Sequence, residues 1–164
     1  MNKKIIIIGS GIAGLTLANI LKNHSNFEFQ IYERESSLNL NEGYGIQLSV
    51  NSVSILDKLG FNKLNSSEKF NPSKLDFFDI KNNKICELDL RVFNKDKHQY
   101  TTLKRSNLIK FLSEKLFSNS IKFGKKLIKI EQIDKRVHIL FEDSSTDVAD
   151  YLIVSDGIFS NSKS

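Results

Sequence analysis

The chain opens with the hydrophobic pattern of a buried strand followed by that of a helix. Residues 5–8 are four isoleucines between a basic start and Gly9, which is typical of a parallel strand buried on both faces. From residue 11 to about 23 the apolar period becomes helical, and residues 28–32 return to a strand pattern. The apolar face predicted for the helix consists of Ala13, Leu17, Ile20 and Leu21. Strand, helix and strand within 33 residues predict a right-handed βαβ unit.

After a polar loop at residues 36–44, a short helix is predicted over residues 51–59. Asn51 or Ser52 is the expected N-cap, and Gly60 is the expected stop. The pattern then becomes β-rich. Residues 75–80 and 85–90 flank an Asn-Asn pair and predict a hairpin.

The remaining elements alternate strand and helix patterns. A strand is predicted over residues 98–104, followed by a helix capped by Ser106. The apolar residues of that helix are Leu108, Ile109, Leu112 and Leu116. Further strands are predicted over residues 121–131, 137–141 and 148–154, and residues 151–154 have a buried-strand pattern.

The turn after the first strand carries the main candidate chemistry. Residues 9–14 read Gly-Ser-Gly-Ile-Ala-Gly, a G-x-G-x-x-G sequence between strand and helix. Gly9 allows a tight exit from the strand, Gly11 lets the backbone approach a pyrophosphate, and Gly14 with Ala18 allows close helix–sheet packing. The helix N-terminus offers unpaired N–H groups to a diphosphate. Glu33, at the end of the second strand, is placed to accept hydrogen bonds from a ribose.

The identity of the dinucleotide is narrowed by charge and by the later pattern. A carboxylate that binds the ribose diol repels a 2′-phosphate, which disfavours NADP in this first site. NAD and FAD both remain open on this ground. A nicotinamide domain would continue as alternating β and α elements, whereas this chain turns to hairpins after residue 74, which favours a flavin-type domain.

Three further stretches join the fingerprint and its Glu33-Arg34 pair. Residues 43–51 read Gly-Tyr-Gly-Ile-Gln-Leu-Ser-Val-Asn, residues 103–108 read Leu-Lys-Arg-Ser-Asn-Leu, and residues 155–160 read Ser-Asp-Gly-Ile-Phe-Ser. In order and spacing the four stretches resemble the N-terminal part of the FAD-dependent aromatic-ring monooxygenases, the para-hydroxybenzoate hydroxylase-like family. Val154, Tyr44 and Val50 depart from the family's usual residues, and the family's second flavin motif has no match.

The resemblance implies an α/β fold, a Rossmann-like FAD-binding domain with a β-rich insertion, in a truncated form of a larger two-domain fold. Residues 1–164 would be one FAD-binding domain with a β excursion at about 75–104 and no substrate domain. With the fingerprint, it gives the predicted cofactor-binding residues Gly9, Gly11, Ile12, Ala13, Gly14, Glu33, Arg34, Gly45, Ile46, Arg105, Leu127 and Asp156.

Each added residue has an expected role. Arg105 would reach the pyrophosphate or the ribityl chain. Asp156 would accept hydrogen bonds from ribityl hydroxyls, and the resemblance also implies contact near the diphosphate. Gly45 and Ile46 would bring backbone close to the isoalloxazine ring, and Leu127 would offer backbone to the adenine.

In function, the resemblance implies an oxidoreductase that uses FAD, NAD(P)H and O₂ to hydroxylate a small aromatic substrate. No catalytic residue is named, because no nucleophile–base set or paired carboxylates suggest another mechanism. Two alternatives stay open. The missing second motif suggests a truncated, non-catalytic fragment that binds flavin or nucleotide. A nicotinamide-dependent dehydrogenase domain is the other.

Composition excludes several other classes of function. The 164 residues carry 24 basic and 19 acidic side chains, a net charge of +5, but only four of the basic residues are Arg and the lysines are scattered among acids, so nucleic-acid binding is not expected. No apolar run is long enough to span a membrane. The single cysteine, Cys86, is expected to be a small strand hydrophobe in a reducing, cytoplasmic setting. His24, His98 and His138 are expected at surface or strand positions, and no metal site is predicted.

Overall fold

The computed structural model describes residues 2–41, 44–94, 97–157 and 160. The chain forms two compact units, the first from Met1–Leu40 and Ile109–Ser164 and the second from Asn41–Leu108. The strands are β1 (Lys3–Ile8), β2 (Phe27–Tyr32), β3 (Gly45–Leu48), β4 (Lys69–Phe70), β5 (Lys74–Phe78), β6 (Lys84–Asp89), β7 (Thr101–Lys104), β8 (Ile121–Lys122), β9 (Leu127–Ile133), β10 (Arg136–Phe141), β11 (Thr146–Ala149) and β12 (Tyr151–Val154). The α-helices are α1 (Ile12–Leu21), α2 (Val50–Lys58) and α3 (Arg105–Ser113).

A parallel sheet in the order β12-β1-β2-β8 forms the centre of the first unit. Strand β1 pairs in parallel with β2 on one side and with β12 on the other. A separate antiparallel sheet of β9, β10 and β11 completes the unit. The βαβ unit predicted at the start of the chain and the Rossmann-like fold class with antiparallel strands are confirmed.

The isoleucines of β1 are buried on both faces of the sheet, as predicted for a central parallel strand. Ile6 and Ile8 join a core cluster with Tyr32 and Phe141, while Ile7 faces Gly14 of α1. The rings of Tyr32 and Phe141 lie with centroids 4.5 Å apart. On one face of the parallel sheet the core is formed by helix α1, and on the other face it is formed by the antiparallel sheet.

The buried face of α1 differs from the predicted one. Gly14, Leu15, Ala18 and Leu21 are buried, whereas Ala13 is exposed and Ile20 is 36% exposed. The prediction counted apolar side chains only. The face is set instead by Gly14, whose missing side chain allows the helix to approach β1 closely.

The strand predicted over residues 121–131 is two strands in different sheets. Strand β8 pairs with β2, and β9 pairs with β10. Between them Gly124 has a positive φ of 68°, and the N–H groups of Gly124 and Lys125 donate to the carbonyls of Glu35 and Glu33. These hydrogen bonds carry the chain out of the parallel sheet, so the single-strand prediction is wrong.

The strand predicted over residues 148–154 is also two strands, separated at Asp150. The Asp150 N–H donates to the Lys4 carbonyl, and its carboxylate accepts the Lys4 N–H at 2.8 Å. Strand β12 then runs beside β1 at the sheet edge. Because no described strand covers its outer side, Tyr151, Ile153 and Val154 are 40–51% exposed, and the buried-strand prediction is wrong.

The second unit contains an antiparallel sheet in the order β3-β7-β4 and the separate hairpin β5–β6. The hairpin is confirmed, with Asn82 in the left-handed conformation at its turn. Cys86 lies on β6 as predicted, but its side chain is exposed rather than buried. Strand β3 was not predicted.

Helix boundaries in and near this unit correct two predicted caps. Helix α2 begins at Val50 with Ser49 as N-cap, because the Ser49 carbonyl accepts the first helical N–H, from Val53. Gly60, with a φ of 87°, follows the helix as expected. Helix α3 begins at Arg105, so Ser106 is a helical residue and not its cap.

One histidine has a more specific environment than a surface or strand position. His98 lies before β7, in a strand-free segment, and its Nδ1 is 2.7 Å from Asp57 Oδ2. The Asp57 side chain is only 8% exposed, and its Oδ1 has no hydrogen-bond partner among the described residues. His98 is therefore the described partner of a buried carboxyl group.

The α-helices in the described ranges contain nine or ten residues, and no helix there is long and apolar enough to cross a membrane.

Candidate functional site

The exit from β1 requires a glycine at position 9. Gly9 has a φ of 100°, a conformation that side-chain-bearing residues rarely adopt. A Cβ there would lie 2.5 Å from the Ser155 carbonyl oxygen. The Gly9 N–H donates to the Tyr32 carbonyl at 2.8 Å. The turn is thus fixed between the ends of two neighbouring parallel strands.

Gly14 is the point of closest approach between α1 and β1. A Cβ at this position would lie 2.1 Å from the Gly9 carbonyl oxygen, 2.9 Å from Ser155 Oγ and 3.2 Å from Ile7 Cγ2. Only a residue without a side chain permits this packing. The helix N-terminus is consequently held directly at the end of β1.

Gly11, by contrast, faces open space. It is the N-cap of α1, and a Cβ built on it meets no atom of the described residues within 4 Å. In the part of the chain that the structure describes, no side chain caps the helix, and the first turn of the helix contains no acidic residue. Ile12, Ala13 and Gly14 are the first helical residues, whose N–H groups have no carbonyl partner within the helix. The helix end therefore offers donors and partial positive charge beside an unfilled volume.

Glu33 faces this loop from the end of β2. Its Oε2 accepts hydrogen bonds from the Ser10 N–H at 2.8 Å and the Ser10 hydroxyl at 2.7 Å. Its Oε1 accepts the Glu35 N–H at 3.1 Å. Burial alone would raise the pKa of Glu33, but the hydrogen bonds from Ser10 and from the Glu35 and Arg34 N–H groups together outweigh it, so the pKa lies below its ordinary value. Glu33 is therefore ionised at neutral pH and fixed at the loop.

Ser155 and Asp156 complete the loop's surroundings from the end of β12. The Ser155 N–H and hydroxyl both donate to the Ile8 carbonyl, at 2.8 and 2.9 Å. The Asp156 Cα lies 3.1 Å from the position of a Gly9 Cβ. The Asp156 carboxylate accepts a hydrogen bond from the Ser160 hydroxyl at 2.9 Å. The structure thus brings Asp156 beside Gly9, while residues 158 and 159 of the same motif lie outside the described ranges.

Two other predicted residues of the first unit have local partners. The Arg34 Nε lies 3.3 Å from a Glu35 carboxylate oxygen, and the Arg34 side chain is about half exposed. Leu127 is the first residue of β9, and its side chain packs against the core cluster that contains Tyr32 and Phe141. Only the backbone of Leu127 is therefore available for the contact predicted from the sequence.

The second unit brings its own predicted residues together. Gly45 and Ile46 on β3 pair with Lys104 and Leu103 on β7, immediately before Arg105. The Arg105 N–H donates to the Tyr44 carbonyl at 3.1 Å. The Arg105 guanidinium carbon lies 5.8 Å from the centre of the Tyr44 ring, within cation–π range. Gly43, the first residue of this motif, lies outside the described ranges.

Two residues at this site, one in the glycine loop and one beside it, were missed by sequence reasoning. Ser10 occupies a variable position of the glycine motif, and Ser155 was noted only as part of a motif. The role of Ser10 could have been predicted from two features of the sequence. A hydroxyl residue occupies the second position of the glycine motif, and an acid follows the next strand. The role of Ser155 depends on the pairing of β1 with β12, which only the fold shows.

Comparison with known families and proteins is consistent with this geometry. The NAD(P)-binding Rossmann-like domain family matches residues 7–41. The chain is 28% identical over 168 residues to the FAD-dependent monooxygenase penE of Penicillium thymicola, a match that covers 98% of this chain and 34% of that protein. It is 31% identical over 171 residues to the 6-methylsalicylate 1-monooxygenase atA of Aspergillus terreus, covering 96% and 38%.

Among solved structures, the fold is similar to that of HpxO from Klebsiella pneumoniae complexed with FAD and uric acid. The TM-score is 0.75 at 23% identity, and the match covers 92% of this chain and 38% of that one. The chain thus spans between a third and two fifths of the length of these proteins. The resemblance to FAD-dependent monooxygenases predicted from the sequence is confirmed.

Proposed function

We propose that the first unit binds FAD through its adenosine diphosphate moiety, with the diphosphate at residues 9–14 and the adenosine ribose at Glu33. The observation that carries the proposal is the position of Glu33. Its carboxylate is hydrogen-bonded to Ser10, at the mouth of an uncapped helix N-terminus. The acid can accept hydrogen bonds from the hydroxyl groups of a sugar, and the N–H donors beside it can bind the negatively charged diphosphate linked to that sugar.

The donor set fits the proposed group in shape as well as in charge. The open space at Gly11 would admit a diphosphate to the backbone, whereas Gly9 and Gly14 are filled by protein contacts. Ile12 and Ala13 would donate backbone N–H groups to the phosphate oxygens. Asp156, beside Gly9, would accept hydrogen bonds from hydroxyl groups of the cofactor. Arg34 and Leu127 are proposed as peripheral contacts on the adenosine side.

In the second unit, Arg105 is proposed to meet a negatively charged or polar part of the cofactor. Gly45 and Ile46 are proposed to present backbone to the flavin ring. Tyr44 restricts the Arg105 side chain through the cation–π contact, which reduces the conformational freedom that binding would otherwise remove. The assignment of residues 1–164 to one FAD-binding domain stays a prediction.

We infer that the activity served by this binding is the hydroxylation of a small aromatic molecule by a flavin-dependent oxidoreductase. The relatives at 28–31% identity are an FAD-dependent monooxygenase and a 6-methylsalicylate monooxygenase. When bound, FAD would take electrons from NAD(P)H and use O₂ to oxygenate the substrate. The residues of this chain would hold and orient the cofactor. The composition with a single cysteine supports a cytoplasmic setting.

A second candidate is that the loop binds NAD(P) rather than FAD. The match of residues 7–41 to the NAD(P)-binding Rossmann-like domain family favours it. The carboxylate of Glu33 would then favour NAD, because it repels a 2′-phosphate.

Titration of the purified chain with FAD, NADH and NADPH distinguishes these proposals. We expect FAD to bind, with quenching of flavin fluorescence, and to bind more tightly than either nicotinamide nucleotide. Glu33→Ala should weaken FAD by about 1–3 kcal/mol, since a charge-assisted ribose hydrogen bond is lost. Tight NADH binding without FAD binding would support the second candidate instead. NAD(P)H oxidation by the FAD-loaded chain tests whether these residues suffice for activity.

A further inference from the structure

Ser10 is buried although it lies in the glycine loop, with a relative exposure of 5%. Both of its donors are directed to the same oxygen, Glu33 Oε2, at 2.8 Å from the backbone nitrogen and 2.7 Å from the hydroxyl. An oxygen of a carboxylate has two acceptor positions, so these two hydrogen bonds fill Oε2.

The second oxygen of Glu33 is in a different situation. Oε1 accepts the Glu35 N–H at 3.1 Å, a longer hydrogen bond from outside the glycine loop. Because Oε2 is already filled by Ser10, a ribose hydroxyl would have to donate to Oε1. Ser10 on Oε2 and the Glu35 N–H on Oε1 together orient the carboxylate, and the shorter pair of hydrogen bonds from Ser10 leaves Oε1 as the ligand-binding oxygen.

We propose that Ser10 is a positioning residue for nucleotide binding, which holds Glu33 through its hydroxyl so that Oε1 accepts a ribose hydroxyl of an adenosine diphosphate ligand. This inference rests on the proposed FAD function and adds to it the selection of the ribose over its deoxy form. A glutamate in solution has several rotatable bonds, and fixing them before binding removes part of the entropic cost of binding.

The hydroxyl also has an electrostatic effect. Against the effect of burial, the hydrogen bonds from Ser10, together with those from the Glu35 and Arg34 N–H groups, hold the pKa of Glu33 below its ordinary value. Removing one of them should raise that pKa, so that Glu33 loses its charge at a higher pH. A purely structural serine would not change the pH dependence of ligand binding in this way.

The test is a comparison of wild type and Ser10→Ala with three probes, FAD, ADP and 2′-deoxy-ADP. Ser10→Ala retains the backbone hydrogen bond and loses only the hydroxyl. We expect FAD affinity to fall roughly fivefold. The preference for ADP over 2′-deoxy-ADP should shrink, and the midpoint at which acid abolishes that preference should move to higher pH. Ser113→Ala removes a hydroxyl that, among the described residues, donates to the Lys110 carbonyl; it is the matched control and should leave all three measurements unchanged.

A double-mutant cycle with Glu33→Gln isolates the route of the effect. If Ser10 acts through the Glu33 carboxylate, Ser10→Ala should cause little further loss in the Glu33→Gln background. An equal loss in both backgrounds would overturn the inference. The inference would also be overturned if Ser10→Ala kept the FAD affinity, the ribose preference and the pH midpoint of the wild type. In that case, FAD binding by the wild type would still support the proposed function. Failure of the wild type to bind any of the three probes would overturn the proposed function itself and this inference with it.

Discussion

Replacing Gly14 by alanine places a methyl carbon 2.1 Å from the carbonyl oxygen of Gly9, in the packed contact between α1 and β1. Side-chain carbons essentially never approach other heavy atoms closer than 3.0 Å, so this oxygen or the helix must move by about 0.9 Å, the difference between 3.0 and 2.1 Å. The methyl group also meets Ser155 Oγ at 2.9 Å and Ile7 Cγ2 at 3.2 Å. Movement away from one neighbour is therefore restricted by the others.

The magnitude follows from the kind of atom that must move. Overpacking a core typically costs about 1–3 kcal/mol, and the closest atom here belongs to the backbone, so we expect a loss of about 3 kcal/mol. For a chain of this length, each kcal/mol lowers the melting temperature by about 2–4 °C, so Gly14→Ala should lower it by about 6–12 °C.

Gly11→Ala is the matched comparison within the same loop. A Cβ at Gly11 meets nothing within 4 Å, and its φ of −74° and ψ of −176° are open to alanine. The reduced entropy of the unfolded chain and the weaker N-cap offset each other, so stability should change by less than about 1 kcal/mol. The new methyl group occupies the volume proposed for the diphosphate, and FAD affinity should fall by about tenfold or more.

Urea unfolding of the two variants without ligand, followed by FAD titration of each, measures both effects. The expected pattern is a stability loss confined to Gly14→Ala, together with a binding loss in Gly11→Ala at normal stability. If Gly14→Ala unfolds within about 1 kcal/mol of wild type, the assignment of Gly14 to helix–strand packing is refuted. If Gly11→Ala binds FAD normally, the diphosphate does not approach the backbone there.

Two further predictions concern charge. Glu33 has a lowered pKa in the folded protein, so its contribution to stability is present above its ordinary value of 4.5 and is lost as the pH falls through the lowered value. The difference in unfolding free energy between wild type and Glu33→Gln should therefore be larger at pH 7 than at about pH 3, and an equal difference at both would contradict it. His98→Ala should destabilise the protein by about 1–3 kcal/mol, because Oδ2 of the buried Asp57 side chain loses its hydrogen-bond partner. Chemical unfolding measures this loss of stability. The double variant Asp57→Leu with His98→Ala should recover part of it. If the double variant recovers nothing, the Asp57 carboxylate is not the cause of the loss.

Local sequence determined the first βα turn almost completely. Four β-branched residues, a glycine exit, a helical period and an acid at the next strand end are each local features, and each acts within a few residues of its position. The direction of Glu33 toward the loop follows from them, because carboxyl ends of adjacent parallel strands meet at one edge of a sheet. The hairpin of β5 and β6 was predictable for the same reason, since its turn and both strands are contiguous.

The strand breaks at Gly124 and Asp150 were decided by the tertiary structure. An apolar alternating run does not show where the chain changes from one sheet to another, and the partners that fix these breaks, Glu33 and Lys4, are distant in sequence. The exposure of β12 likewise depends on its place at the edge of the sheet, which its composition does not reveal.

Sequence by itself thus predicted the βαβ unit and its glycine turn, because glycine conformation and hydrophobic period are properties of short segments. Only the tertiary structure showed that Ser155, at the end of β12, fills the space beside Gly9 and Gly14, because β12 meets β1 only in the folded sheet. Sequence predicted that Glu33 faces the loop, but its two hydrogen bonds from Ser10 were visible only in the fold. They join residues 23 positions apart, and such contacts form only when the sheet brings its strand ends together.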